Sequence, residues 1–321
     1  MRRRKRNLAA DAFAVPLLIG GALLGAEIGR RLFRRAQLFC PTREPFKSWD
    51  PADYGIPKGA VEEHWIETPD GEQLHAWYCR AEKAIASGVF CHGNTGNLTT
   101  SADVIPHLLN AGFSVLFFDY RGFGKSSGRA SFGGVVADGI TAARFHDRIR
   151  PKHLPSLLYG YSLGGAVAAQ VIRRHPFDAL ILQSTFTNLP DLSRVFWRRF
   201  PMHVFAGNDV FDTIGVIRRL SVPLLILHGT EDETCPCWMA HNIFDACAAP
   251  KRMHTVEGGM HKDLFLRDPD TLIWTLSQFI AELPHGTRTW SVEQTPHIEE
   301  WTNSALRAMR KVLRKRAAQH A

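Results

Sequence analysis

From residue 61 onward the chain alternates short apolar runs with helix-length stretches, and no other feature limits its fold so strongly. Strands covered on both faces read as near-continuous apolar runs, and parallel neighbours need a crossover connection. The alternation therefore predicts a mostly parallel sheet with helices on both faces. Residues 61–68 and 73–80, joined through Pro69-Asp70-Gly71, predict an opening antiparallel hairpin. Further strands are predicted at 88–91, 114–119, 157–159, 179–183, 223–227 and 253–256, for a sheet of about eight strands. Helices are predicted at 101–111, 135–148, 163–175, 238–248 and 269–282. Residues 185–220 form a 36-residue connection, longer than an ordinary link between helix and strand, and predict a short lid over the carboxyl ends of the strands.

Gly160-Tyr161-Ser162-Leu163-Gly164 lies where one predicted strand turns into a helix. A nucleophile on so tight a turn needs small neighbours, and the helix N-terminus behind it favours developing negative charge. A serine hydroxyl is a weak nucleophile until a base takes its proton and a third group orients that base. Both partners follow in order: Asp232 in His228-Gly229-Thr230-Glu231-Asp232 and His261 in Glu257-Gly258-Gly259-Met260-His261, each after a predicted strand. Glu231 and Glu233 flank Asp232 and read as solvated loop charges. His92 and His228 stand at strand ends beside glycines, where hydrogen-bonded structural histidines are the better reading.

A tetrahedral intermediate also needs donors for its oxyanion. The loop His92-Gly93-Asn94-Thr95-Gly96-Asn97 follows a strand, and the backbone N–H groups of Asn94 and Leu163 are assigned to that role. The loop lacks the Gly-Lys-Ser/Thr ending of a phosphate cradle. No Cys or His set has zinc-site spacing, so neither metal nor organic cofactor is expected. Cys235-Pro236-Cys237 reads as loop.

Taken together, these segments resemble the α/β-hydrolase superfamily, in particular its small-lid branch of serine aminopeptidase-like and lysophospholipase-like enzymes. Asp119-Tyr120-Arg121-Gly122-Phe123-Gly124-Lys125-Ser126 is similar to that branch's D-x-R-G-x-G-x-S segment, and Phe90-Cys91-His92-Gly93-Asn94 to its oxyanion strand and loop. The resemblance covers roughly residues 60–285. Met260 replaces the glycine usual before the histidine, and Thr234-Cys235-Pro236 departs from the usual acid loop; neither change removes a reacting group. Ser162 argues against the dehalogenases and epoxide hydrolases of the superfamily, which use an Asp nucleophile.

The resemblance implies an α/β-hydrolase fold and a serine hydrolase acting through Ser162, Asp232 and His261 on ester or thioester bonds, by way of an acyl-enzyme. A peptidase or amidase of the same fold is the enzymatic rival. A membrane-anchored binding module without turnover is the other.

The ends of the chain carry the charge. Of the net +8, residues 1–47 hold +8 and residues 286–321 hold +4, which leaves the middle at −4 and argues against a nucleic-acid groove in the core. Residues 12–26 are uncharged and apolar, with arginines on both sides. They read as a single-pass membrane anchor, with a cleaved signal peptide and secretion as the alternative. The domain scheme is thus a basic, membrane-directed segment over 1–47, a catalytic domain over 48–285 and a basic helical tail over 286–321. A small-molecule or lipid-like acyl ester met at the bilayer is the expected partner.

Overall fold

The structure is a computed structural model in which residues 38–196 and 211–283 are described. Its centre is an eight-stranded sheet. The strands are β1 (Val61–Glu67), β2 (Gln73–Cys79), β3 (Ala86–Cys91), β4 (Phe113–Phe118), β5 (Ser156–Tyr161), β6 (Ala179–Gln183), β7 (Leu224–Gly229) and β8 (Lys251–Val256). They lie side by side in the order β8-β7-β6-β5-β3-β4-β2-β1. From β3 onward all neighbours are parallel, whereas β2 pairs antiparallel with both β1 and β4. The predicted hairpin is present. Its outer strand β1 carries Glu62, Glu63 and Glu67 along the sheet edge, which discourages a further strand from adding there.

Eight α-helices are described: α1 (Ile105–Asn110), α2 (Phe132–Ile149), α3 (Leu163–Ile172), α4 (Leu189–Phe196), α5 (Thr213–Ile217), α6 (Trp238–Ala246), α7 (Leu264–Arg267) and α8 (Pro269–Ala281). Because successive strand residues point to opposite faces, the sheet feeds two cores. Val89, Leu158, Leu180 and Ile226 pack with Val135 of α2, Val167 of α3 and Ile243 of α6. Their neighbours Phe90, Tyr159, Ile181 and Leu225 pack with Ile105 of α1 and Leu276 and Phe279 of α8. The Phe90 ring stacks between Phe117 and Tyr159, at centroid distances of 4.3 and 4.7 Å.

Several helix boundaries differ from the sequence reading, two of them with a local cause; the helices expected to end at 175 and 248 end at Ile172 and Ala246. The helix expected at 101–111 is instead a 3-10 turn, Leu98–Val104, followed by α1, because Asn97 caps the earlier start and Pro106 opens the second segment. Helix α2 begins at Phe132, three residues early. Ser131 caps it, and Gly134 leaves room for the Arg121 side chain.

The expected lid interval contains α4 and α5, and its residues 197–210 lie outside the described residues. The apolar run 12–26 and the tail 286–321 lie outside them too. Among the described residues no helix is long and apolar enough to cross a membrane. The strip 40–47, grouped by composition with the N-terminal segment, is tied to the sheet domain. Cys40 N–H donates to Asn94 O at 2.9 Å, and the Asn97 amide reaches Thr42 O at 3.3 Å and Glu44 O at 2.7 Å.

His146 of α2 is fully buried beneath β3, with Nε2 2.8 Å from Ser87 Oγ. Burial, helped by the nearby Arg150 charge, pulls its pKa down to about 3. In the unfolded chain the same imidazole titrates near 6.5, so between those values the unfolded state binds the extra proton and native stability falls as pH falls. Denaturant melts should show His146 alone costing about 2 kcal/mol between pH 7 and pH 5. The His146→Gln variant should flatten that slope. An unchanged slope would assign the acid sensitivity to other groups.

Candidate active site

Strand β3 has β4 on one side and β5 on the other, so the chain reverses its direction of travel across the sheet between β3 and β5. A crevice opens at such a switch point, outside the carboxyl ends of the strands. Ser162 follows β5 and the loop from His92 follows β3, which brings both to that crevice.

Ser162 is held in a strained conformation, φ 54° and ψ −120°, between the last residue of β5 and the first of α3. The flanking glycines allow it. A Cβ on Gly160 would come within 2.5 Å of Gly164 O and of Gly165 Cα, and one on Gly164 would drive into the carbonyl oxygen of Cys91. The backbone of the turn is pinned on both sides: Ser162 N–H donates to Gln183 O at 2.9 Å, and Ser162 O accepts from Thr185 Oγ1 at 2.8 Å.

His261 lies between the other two predicted residues. Its Nδ1 is 2.8 Å from Asp232 Oδ2, and its Nε2 is 2.9 Å from Ser162 Oγ. Because the carboxylate only accepts, Nδ1 carries the proton, which leaves the Nε2 lone pair to receive the serine hydroxyl hydrogen. The Asp232 side chain is wholly buried, and its Oδ1 accepts the backbone N–H groups of Thr234 at 2.9 Å and Cys235 at 2.8 Å. The carboxylate is therefore fixed in the plane it needs. Glu231 and Glu233 are exposed, as their loop positions imply.

Leu163 adjoins Ser162 in the chain, and the loop that carries Asn94 passes beside the serine. Leu163 is the first residue of α3, so its N–H has no partner within the helix. A Cβ on Gly93, the residue before Asn94, would lie 3.7 Å from Ser162 Cβ. His228 Nε2 donates to Cys235 O at 2.6 Å, and His92 Nδ1 donates to Gly93 O at 2.8 Å. Both are hydrogen-bonded histidines at strand ends, as read from the sequence.

Two contributors carry no sequence signal. Tyr161 occupies the free position before Ser162, yet its hydroxyl donates to His261 O at 3.3 Å and its ring lies 5.5 Å from the imidazole. Burial, with Asp232 nearby, pushes its phenol well above the ordinary range, so it stays a neutral donor. Thr185, two residues beyond β6, braces the elbow. Pattern reading has no means of finding either, because both act through contacts made after folding.

Chemically, the arrangement can generate a nucleophilic alkoxide-like oxygen and offer two N–H groups to the charge it creates. Among the described residues no group of three or more His, Cys, Asp or Glu side chains is arranged to hold a metal ion.

Comparison with known proteins agrees with the fold. Residues 82–210 match the family described as serine aminopeptidase, S33. An uncharacterized protein of Mycobacterium tuberculosis is 32% identical over 223 residues, 68% of this chain and 78% of the relative. Lysophosphatidylserine lipase ABHD12 of Danio rerio is 32% identical over 265 residues, 69% of this chain and 67% of the relative. Among solved structures, the Pyrococcus furiosus esterase Pf2001 superposes with a TM-score of 0.65 at 17% identity, covering 77% of this chain and 98% of that one. At that identity the likeness is one of fold.

Proposed function

This chain belongs to the α/β-hydrolase family described as serine aminopeptidase, S33, and from that premise we propose that it is a serine hydrolase cleaving carboxylic ester or thioester bonds of acyl, lipid-like substrates. The observation that carries the reading is the continuous chain Ser162 Oγ to His261 Nε2 at 2.9 Å and His261 Nδ1 to Asp232 Oδ2 at 2.8 Å. Ser162 Oγ attacks the acyl carbonyl carbon as its proton passes to His261 Nε2. The carbonyl oxygen becomes an oxyanion facing the N–H groups of Asn94 and Leu163. When the intermediate collapses, the leaving alcohol or thiol takes the proton from His261, and the acyl group stays on Ser162. Water then attacks the acyl-enzyme with His261 as base, and the acid departs.

Two observations support a lipid-like acyl chain. The Danio rerio relative is named for a lysophospholipid substrate, and the apolar run 12–26 with its flanking arginines has the composition of a membrane anchor. Turnover of p-nitrophenyl esters should exceed that of aminoacyl arylamides and rise with acyl length from acetate to octanoate. Preference for the arylamides would instead favour the peptidase reading. In the same preparations, full-length protein should sediment with membranes and protein lacking residues 1–37 should not. Equal partitioning of the two would remove the anchor.

A further inference from the structure

The segment from Asp119 to Ser126 takes no part in the chemistry above, yet its residues converge on one buried carboxylate. Asp119 follows β4 and is fully buried. Its Oδ1 accepts the Leu98 N–H at 2.6 Å, and His92 Nε2 packs against the same oxygen at 3.5 Å without a hydrogen bond. His92 begins the loop that carries Asn94, and Leu98 ends it. One carboxylate oxygen therefore meets both ends of that loop. Its other oxygen faces His75 Nδ1 at 3.7 Å, and His75 Nε2 donates to Glu63 Oε1 at 2.7 Å at the surface.

Three other residues of the segment, Tyr120, Gly124 and Ser126, serve this placement, whereas Arg121 pairs with Asp138 and Asp70. Gly124 has φ 48°, and a Cβ there would drive into Asp119 Oδ2. Ser126 Oγ donates to Asp119 O at 2.8 Å and accepts the His75 N–H at 2.9 Å. Tyr120 Oη donates to His92 O at 3.2 Å, adding a second hold on the start of the loop. Burial by itself would raise the Asp119 pKa, but contact with His75 and His92 outweighs it and holds the carboxyl below its ordinary value. A carboxylate so placed is charged, and burying a charge is costly unless its partners are held in return.

We propose that Asp119 is a positioning residue for the oxyanion-stabilising loop: its carboxylate holds the Leu98 N–H and packs against His92, whose carbonyl is held by the adjoining Tyr120, and so sets the Asn94 N–H against the reacting carbonyl oxygen. The proposal rests on the reading of Asn94 as an oxyanion donor. Asp119→Asn keeps the side-chain shape and removes the charge. A donor displaced by a fraction of an ångström loses more in the transition state than in substrate binding, so kcat should fall on the order of 10- to 100-fold with KM within about twofold. Amide hydrogen exchange over 93–98 should quicken while exchange in the β-strands stays unchanged. His92→Gln, which alters the other side of the same contact, should show the same pattern and serves if Asp119→Asn does not fold. Glu63→Gln, at the solvent end of the cluster, should leave kcat within about twofold, because it does not touch the loop.

Wild-type turnover with an unchanged kcat in both loop variants would overturn the proposal and leave the esterase reading standing. So would a rise in KM alone. If the wild type shows no turnover, the esterase reading fails. The exchange measurement still decides the hold on the loop, because unchanged protection over 93–98 in both variants overturns it.

Discussion

Ser162→Ala is expected to abolish covalent labelling by a fluorophosphonate and to lower ester turnover on the order of 10⁴- to 10⁶-fold, with the fold retained. The serine side chain makes one hydrogen bond, to His261 Nε2, and the turn around it is held by backbone contacts to Gln183 and Thr185. The strained φ is already present in the native chain, so alanine adds little that serine did not already cost. Mass spectrometry of the labelled wild type should place the adduct on Ser162 alone, and thermal melts of the two proteins should agree within a few degrees. Labelling that persists in the variant would remove Ser162 from the chemistry. A folded wild type that takes no label would move the binding-module reading ahead of catalysis.

Asp232→Asn should lower kcat by about 10⁴-fold while leaving the shape of the site intact. The amide oxygen of asparagine can keep the Thr234 and Cys235 N–H bonds, which then turns its NH₂ towards His261 Nδ1. Two donors cannot face each other, so the imidazole adopts the tautomer with its proton on Nε2. That nitrogen can no longer accept the Ser162 hydroxyl hydrogen. The test is steady-state turnover alongside fluorophosphonate labelling rate, and both should fall together. A loss below about tenfold in both would mean that another group orients His261, with His228, 3.4 Å from the same carboxylate, the first place to look.

Much of this site is legible in the sequence because its parts are local. Ser162, Asp232 and His261 each lie in a glycine-containing turn that follows a strand, and turn chemistry is set by adjacent residues. Strand positions came through for a related reason. A strand buried on both faces must be apolar throughout, and β3 to β7 are buried at nearly every residue. The helix expected at 101–111 was misjudged where two local signals competed, the Asn97 cap and Pro106.

Other features depend on the order in which the strands lie in the sheet. Ser162 and His261 are 99 residues apart, and their 2.9 Å contact exists because β5 through β8 lie in register with their carboxyl ends together. The hold of Asp119 on the His92–Leu98 loop needs β4 beside β3, and Tyr161 reaches His261 across the same end of the sheet. The sequence by itself determined the periodic strands and helices, the glycines of the elbow and the order of the three residues proposed to react, since each is written in near neighbours along the chain. Only the tertiary structure decided which buried polar groups brace them, because that support comes from side chains whose spacing in sequence carries no periodic signal and which meet only when the sheet closes.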